Sequence, residues 1–365
     1  MTPEWRIVAH AGRDGLLGLR DDWMRLLAAM PERSFQHAFE THLAYAEHLP
    51  SPRGPTTCLA LSDGERVRAI WPIEPAAQRI LRVETRAWGL PAGLGNVARD
   101  AIVPPDEAVR RELLPRVVSH LSETRGGPSW LVLENILETS AAWQCLASLD
   151  RRRYCTEVVS DCAFVDCDRS AEDLAASLSK NVRAALRRRH NKLAALGDVR
   201  FEHVSDPAQL PEAFETFVKV EASGWKGEAG THSALAQRPK PLAFYRAYVA
   251  ALRESGRCEV NLLHAEGRCI AASLNVRVGA EYAGLKMAYD EEYAQLSPGR
   301  LLLERVLQRC CADPGIRRYN NVTHPAWIDD WRPTVVPIHT AYIAVRGGVT
   351  PLLLRLLRLR LRLAR

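Results

Sequence analysis

The stretch Glu281–Leu307, EYAGLKMAYDEEYAQLSPGRLLLERVL, constrains the rest of the chain more than any other. It reads as a strand carrying Lys286, Tyr289 and Asp290, a loop Ser297-Pro298-Gly299, and a helix from about Arg300. Leu301, Leu302, Leu303, Val306 and Leu307 form the apolar stripe of that helix. A strand feeding a Gly-containing turn into a helix N-terminus makes an anion site, because orphan backbone N–H groups and the positive helix end converge there. The glycine lets a phosphate approach the backbone closely. A phosphate-bearing ligand is the first expectation for this chain.

The 365 residues suit one large or two ordinary domains, and 47% apolar with 25% charged residues fits a globular protein with a full core. A net charge of +6 allows an anionic ligand without demanding nucleic acid. Only six of the 49 basic residues are Lys, as a GC-rich genome would produce, which makes Lys226 and Lys286 visible. The nine Cys show no C-x-x-C pair and no zinc-finger spacing, so reduced, mostly buried thiols and no metal are expected. The N-terminal MTPEWRIVAHAGRDG has no signal pattern, and no run of 18 apolar residues exists to span a membrane. The cytoplasm is the expected compartment.

Read in order, an α/β unit of about 150 residues comes first. It has helices around Leu19–Leu27, Phe39–His48, Glu107–Glu123 and Ala141–Leu149. Strands fall at Trp5–Val8, Thr57–Leu61, Val67–Ile73, Arg79–Trp88 and Trp130–Glu134, with Asp63-Gly64 as a hairpin turn. A second unit starts near Cys162–Cys167. One long helix, Ala171–Leu196, is followed by strand Val199–Val204 and helices Pro211–Ser223 and Pro241–Ser255. Strands Glu259–Ala265, Arg268–Val278 and Glu281–Asp290 then run in succession, and strands Arg317–Val322 and Val335–Val345 close the unit. This order is not the alternating β-α-β of a dinucleotide fold.

Four ordered motifs carry a family resemblance: Leu178-Ser-Lys-Asn-Val-Arg183 with Leu186-Arg187-Arg188, Glu221-Ala-Ser-Gly-Trp-Lys-Gly227, Lys286-Met-Ala-Tyr-Asp290 and Leu296-Ser-Pro-Gly-Arg-Leu301. Through them, residues from about 160 to 345 resemble the acetyltransferase domain of the CelD/BcsL-like (cellulose biosynthesis) group of the GNAT superfamily, related to the FemAB aminoacyl transferases. The N-terminal half resembles it weakly, through Ser34-Phe35-Gln36 and the Gly95 to Asp100 region. The resemblance implies an α/β (α+β) fold of tandem GNAT-like halves, each a mixed, mainly antiparallel twisted sheet flanked by helices. A degenerate half would span 1–160, the acyltransferase domain 161–346, and a basic Leu/Arg-rich C-terminal helix 347–365. It further implies acyl transfer from acyl-CoA, acetyl-CoA first, to an amine of a small molecule, sugar or envelope-polysaccharide precursor. A backbone N–H of the splayed strand, Leu285 to Tyr289, would serve the oxyanion. The usual pyrophosphate loop of the superfamily is Gln/Arg-x-x-Gly-x-Gly/Ala, whereas Gln295–Gly299 has one Gly, and Pro298 removes an N–H donor. Aminoacyl-tRNA therefore stands as the second donor, and a non-catalytic role in exopolysaccharide or cellulose synthesis as the third reading.

Acyl transfer needs a nucleophile, a base and oxyanion donors. Asp290 is the candidate base or substrate-amine ligand; its competing role is a strand-end turn. Lys286 is a candidate ligand for an acyl or carboxylate oxygen, Tyr289 a candidate acid for the leaving thiolate or a core residue, and His324 the alternative base. Gln295, Ser297, Gly299 and Arg300 are the candidate donor-binding residues. Glu221, Trp225, Lys226 and Trp327 are the candidate acceptor-binding residues. The Arg183–Arg189 run reads as a solvated basic face, and as the tRNA contact if tRNA is the donor. The tail LLLRLLRLRLRLAR is a basic, Leu-rich helix that reads either as a membrane-surface element at the inner membrane face or as a helix docked with Arg outward.

Overall fold

The computed structural model describes residues 4–91, 98–224, 227 and 231–363. The chain begins with β1 (Arg6–Ala11), α1 (Gly12–Gly18), α2 (Arg20–Ala29), α3 (Phe39–His48), β2 (Thr57–Ser62), β3 (Val67–Ile80) and β4 (Val83–Gly89). It continues with α4 (Glu107–Glu123), β5 (Trp130–Leu137), α5 (Ala141–Cys145), β6 (Tyr154–Asp166), α6 (Ala171–Ser177), α7 (Lys180–Ala194), β7 (Arg200–Val204), α8 (Leu210–Ser223) and α9 (Pro239–Arg253). The last elements are β8 (Cys258–Ala265), β9 (Arg268–Val278), β10 (Glu281–Tyr289), α10 (Pro298–Ala312), β11 (Arg318–Asn320), β12 (Thr334–Ala344) and α11 (Thr350–Leu363). This is a mixed α/β fold made of two compact units. One gathers residues 1–32, 36–162 and 336–365; the other gathers 33–35 and 163–335.

In the first unit the strands run β1-β2-β3-β4-β5-β12, antiparallel except for the β4–β5 pair. Side chains alternate across a strand. Leu59 and Leu61 therefore meet Trp71, Ile73 and the α4 residues Leu113, Val117 and Leu121, while Cys58 and Ala60 meet Trp23 and Leu26 of α2. The same alternation along β5 sends Leu131 and Leu133 to the α4 side and Trp130 and Val132 under Leu354 and Leu357 of α11. The sequence places residues through 346 with the second half. In the fold β12 pairs with β5, so both ends of the chain build the first unit.

In the second unit the order is β6-β11-β10-β9-β8-β7, antiparallel except for β10–β11. Leu174, Leu178, Leu186 and Leu193, with Leu301, Leu303 and Leu307 of α10, bury one face of this sheet. α8 and α9 pack on the other, with Phe217 and Phe244 fully buried. The single long helix expected over 171–196 is two. Ser179, in extended backbone, accepts a hydrogen bond from the Val182 N–H and starts α7 afresh. Arg183 reaches back to donate to the carbonyls of Ala176 and Leu178 at 3.0 and 2.6 Å, which satisfies the end of α6. All nine cysteines lie among the described residues and none forms a disulfide.

Candidate active site

The site grows from one irregularity in β10. Its first three residues, Glu281–Ala283, pair in parallel with Arg318–Asn320 of β11, and there the pairing stops. β11 ends because the Asn320 side chain accepts the Val322 N–H at 2.7 Å while Val322 sits at φ 65, turning the chain away. A register shift between Gly284 and Lys286 bends β10 at the same level. Gly284 is required here, since a Cβ on it would lie 2.1 Å from the Tyr319 hydroxyl oxygen. Beyond it, through Tyr289, β10 has no strand partner on its β11 side among the described residues. A gap lined by backbone groups opens in the sheet.

Next to this gap stands the N-terminus of α10. Met287, Tyr289, Ser297, Gly299, Arg300 and Trp327 line a cavity of about 400 Å³. Gly299 keeps helix and strand close: a Cβ there would meet the Met287 sulfur at 3.3 Å and the Tyr289 ring at 3.5 Å. Ser297 adopts the left-handed conformation at φ 51, and its side chain makes no capping bond. Its carbonyl takes the Arg300 N–H at 3.0 Å, and Pro298 has no N–H, so the Gly299 amide is the donor that the first turn leaves over. The Arg300 guanidinium pairs with Asp330, while its Nε is buried without a partner. Burial, and then the positive charge of Arg189, push the Arg300 pKa downward. The unpaired Gly299 amide and the positive end of α10 favour an anion there.

Tyr289 faces the cavity, and its phenol pKa is pushed upward by burial and then by the Glu291 carboxylate. It is therefore a protonated hydroxyl at neutral pH. Lys286 lies on the opposite face of β10. Its ammonium sits 3.3 Å from Oε1 of Glu221 and 5.3 Å from the centre of the Tyr245 ring. Glu221 is only 1% exposed, and its Oε2 accepts the Leu235 N–H at 2.9 Å.

Five residues singled out in the sequence thus meet at one cavity: Tyr289, Ser297, Gly299, Arg300 and Trp327. Lys286 and Glu221 meet each other on the face of β10 opposite the cavity. The remaining ones do not join the cavity lining. Gln295 is exposed on the 3₁₀ turn Glu291–Leu296. Asp290 caps that turn, accepting the Glu292 N–H at 3.1 Å, and its other oxygen takes Arg268 at 2.8 Å. His324 holds Asp329 at 2.6 Å. Trp225 and Lys226 lie outside the described residues. The sequence reading missed Met287, Ala294 and Asp330. Met287 was discoverable, being two residues before Tyr289 on one strand face. No group of His, Cys, Asp and Glu among the described residues suits a metal ion, and no described helix is long and apolar enough to cross a membrane.

Comparison with known proteins bears on this geometry. Residues 180–327, which contain the whole cavity, match the family model described as an acetyltransferase (GNAT) domain. Among solved structures, FemX aligns with a TM-score of 0.59 at 11% identity, over 88% of this chain and 95% of that one. L-PGS from Bacillus licheniformis aligns with a TM-score of 0.56 at 16% identity, over 93% and 96%. A tandem GNAT protein from the clavulanic acid biosynthesis pathway aligns with a TM-score of 0.51 at 14% identity, over 94% and 100%. At these identities the likeness is one of fold. A search of curated proteins returned no significant match.

Proposed function

We propose that the chain is an N-acyltransferase that moves an acyl group from acyl-CoA, acetyl-CoA first, to an amine of a small molecule or of a sugar or envelope-polysaccharide precursor. The observation that carries this reading is the gap beside residues 284–289 opening next to the α10 N-terminus. The CoA phosphates would rest against the Gly299 amide and Arg300, and the thioester would reach the gap past Met287. The acceptor amine attacks the thioester carbonyl carbon, a backbone N–H of β10 bonds the resulting oxyanion, and the C–S bond then breaks. The departing thiolate takes its proton from the Tyr289 hydroxyl, and the phenolate so formed takes up the proton that the attacking amine gives up on becoming an amide, so the amine proton ends on the CoA thiol. Lys286, held by Glu221 and the Tyr245 ring, offers its ammonium to an anionic or carbonyl group of the acceptor. The finer assignment to the CelD/BcsL-like group rests on the four motifs and belongs to the same reading.

Thermal unfolding of the pure protein with acetyl-CoA and longer acyl-CoAs tests this. A ligand at about 100 times its Kd adds roughly 2.7 kcal/mol and raises Tm by several degrees. The shift should vanish in Gly299→Glu, whose side chain would fill the cavity, with the circular dichroism unchanged. No shift with any acyl-CoA on an intact fold rejects the donor.

One observation favours aminoacyl-tRNA as the alternative donor: Pro298 thins the phosphate cradle, while α7 exposes Arg187 and Arg188 beside Arg189, which acts on Arg300. In that case tRNA binds tightly and weakens steeply with salt, and Arg187→Glu with Arg188→Glu removes it.

A further inference from the structure

α11 has two apolar faces, and the fold uses one. Leu354 and Leu357, with Leu353 and Leu361 beside them, pack on Trp130, Val132 and Ala344. On the far side Leu352, Leu356, Leu359 and Leu363 are 58%, 48%, 56% and 80% exposed. Their spacing of four, three and four residues makes one continuous row along a helix of 3.6 residues per turn. Exposed leucines scattered singly are ordinary; a contiguous row rimmed by charge marks an interaction surface. Arg355 and Arg362 flank this row on one side and Arg360 on the other, and the helix contains no acidic residue.

The first turns of α11 also border a cavity of about 390 Å³ lined by Arg152, Arg153, Arg346, Arg355 and Arg358. Arg346 donates to the Thr124 carbonyl, and Arg358 donates to the carbonyls of Arg151 and Tyr154 at 2.9 Å each. Carbonyls orient these guanidiniums without neutralising them. The nearby Asp150 carboxylate accepts the Arg152 backbone N–H, and Glu157 accepts the Tyr342 hydroxyl. None of the five arginines forms an ion pair among the described residues. The Nε of Arg346 is buried with no hydrogen-bond partner among the described residues.

We propose that the outer face of α11 and the arginine-lined cavity form a docking surface for an anionic phospholipid bilayer. The leucine row enters the boundary between headgroups and acyl chains, and the arginines bind lipid phosphates. Charge decides the occupant. A second copy related by a two-fold axis would set Arg355, Arg360 and Arg362 against their own counterparts with no acid to separate them. Nucleic acid would use the arginines and leave the leucines in water. An anionic bilayer satisfies both, with phosphates for the guanidiniums and hydrocarbon for the leucines.

The test is co-sedimentation of the full chain with vesicles of equal parts phosphatidylcholine and phosphatidylglycerol, and with vesicles of phosphatidylcholine alone. The expected result is binding to the mixed vesicles that falls with added salt, and at least tenfold weaker binding to the neutral ones. Leu352→Ser with Leu356→Ser, Leu359→Ser and Leu363→Ser changes only outward side chains, and this serine variant should bind at least tenfold more weakly. Arg152→Gln with Arg153→Gln and Arg355→Gln should weaken binding and make the remaining affinity fall less steeply with salt. Failure of the wild-type chain to bind mixed vesicles overturns the proposal, as does binding by both variants as tight as that of the wild-type chain. A wild-type dimer in solution that the serine variant converts to a monomer, without vesicle binding by either, overturns it in favour of a second copy.

Discussion

Asp290 and Tyr289 are adjacent on the chain and present opposite prospects for chemistry. Both Asp290 oxygens are occupied, one by the Glu292 N–H and one by Arg268. Asn caps as well as Asp does, and an ion pair whose Arg268 partner is 54% exposed contributes about 0–1 kcal/mol. Asp290→Asn should therefore leave kcat within a few-fold of wild type. Tyr289→Phe removes the hydroxyl that faces the cavity and should lower kcat by about 10²- to 10⁴-fold, the usual contribution of general acid catalysis. The raised phenol pKa fixes the sign of the pH dependence. The proton is present at neutral pH and is lost only above the ordinary tyrosine range, so a fall in kcat with a midpoint near neutrality cannot come from Tyr289. Steady-state kinetics of both variants from neutral to alkaline pH decide the matter. Equal losses in the two variants would return Asp290 to the chemistry.

At the scale of elements, the gap beside β10 depends on Gly284. The Tyr319 ring crosses the strand where any side chain would stand, so Gly284→Ala forces either ring or strand to move. Overpacking of this kind typically costs about 1–3 kcal/mol. The expected outcome is a lower urea midpoint together with a loss of acyl-CoA binding larger than the stability loss explains, because the same displacement closes the gap. Unchanged binding in the destabilised variant would separate the gap from the donor site. Legibility in the sequence divides at this scale. α3 and α4 have the bounds their periodicity predicts, Phe39–His48 and Glu107–Glu123. The cavity was readable because Tyr289, Ser297, Gly299 and Arg300 follow one another through a strand, a turn and a helix. The break between α6 and α7 was hidden because Leu178 and Leu186 both face the core, so the apolar pattern runs on through the Ser179 cap. Asp330 was unreadable for a different reason: its pairing with Arg300 joins segments 30 residues apart that carry no common pattern.

The whole molecule poses a question about where each unit begins and ends. The first unit closes only when β12 pairs with β5 and α11 covers Trp130 and Val132. Leu354 and Leu357 are 1% and 4% exposed, and burying a leucine contributes about 1.5–3 kcal/mol. The tail is therefore part of a core, despite a composition that alone suggests a solvent-facing appendage. A chain of residues 1–162 should lack native structure, since β5 would present an unpaired hydrophobic edge to solvent. Removing residues 347–365 alone is the finer test. It strips Leu354, Leu357 and Leu361 from their cluster while leaving every sheet pairing in place. It should lower unfolding stability by several kcal/mol, against a domain stability of about 5–15 kcal/mol. The serine variant at 352, 356, 359 and 363 should lose almost none, since its four positions face outward. Denaturant melts of the two proteins side by side separate the helix's two faces. Equal stability losses in both would mean that the leucine row serves the fold and not a surface, and a truncated chain as stable as the full one would mean that α11 covers nothing of consequence.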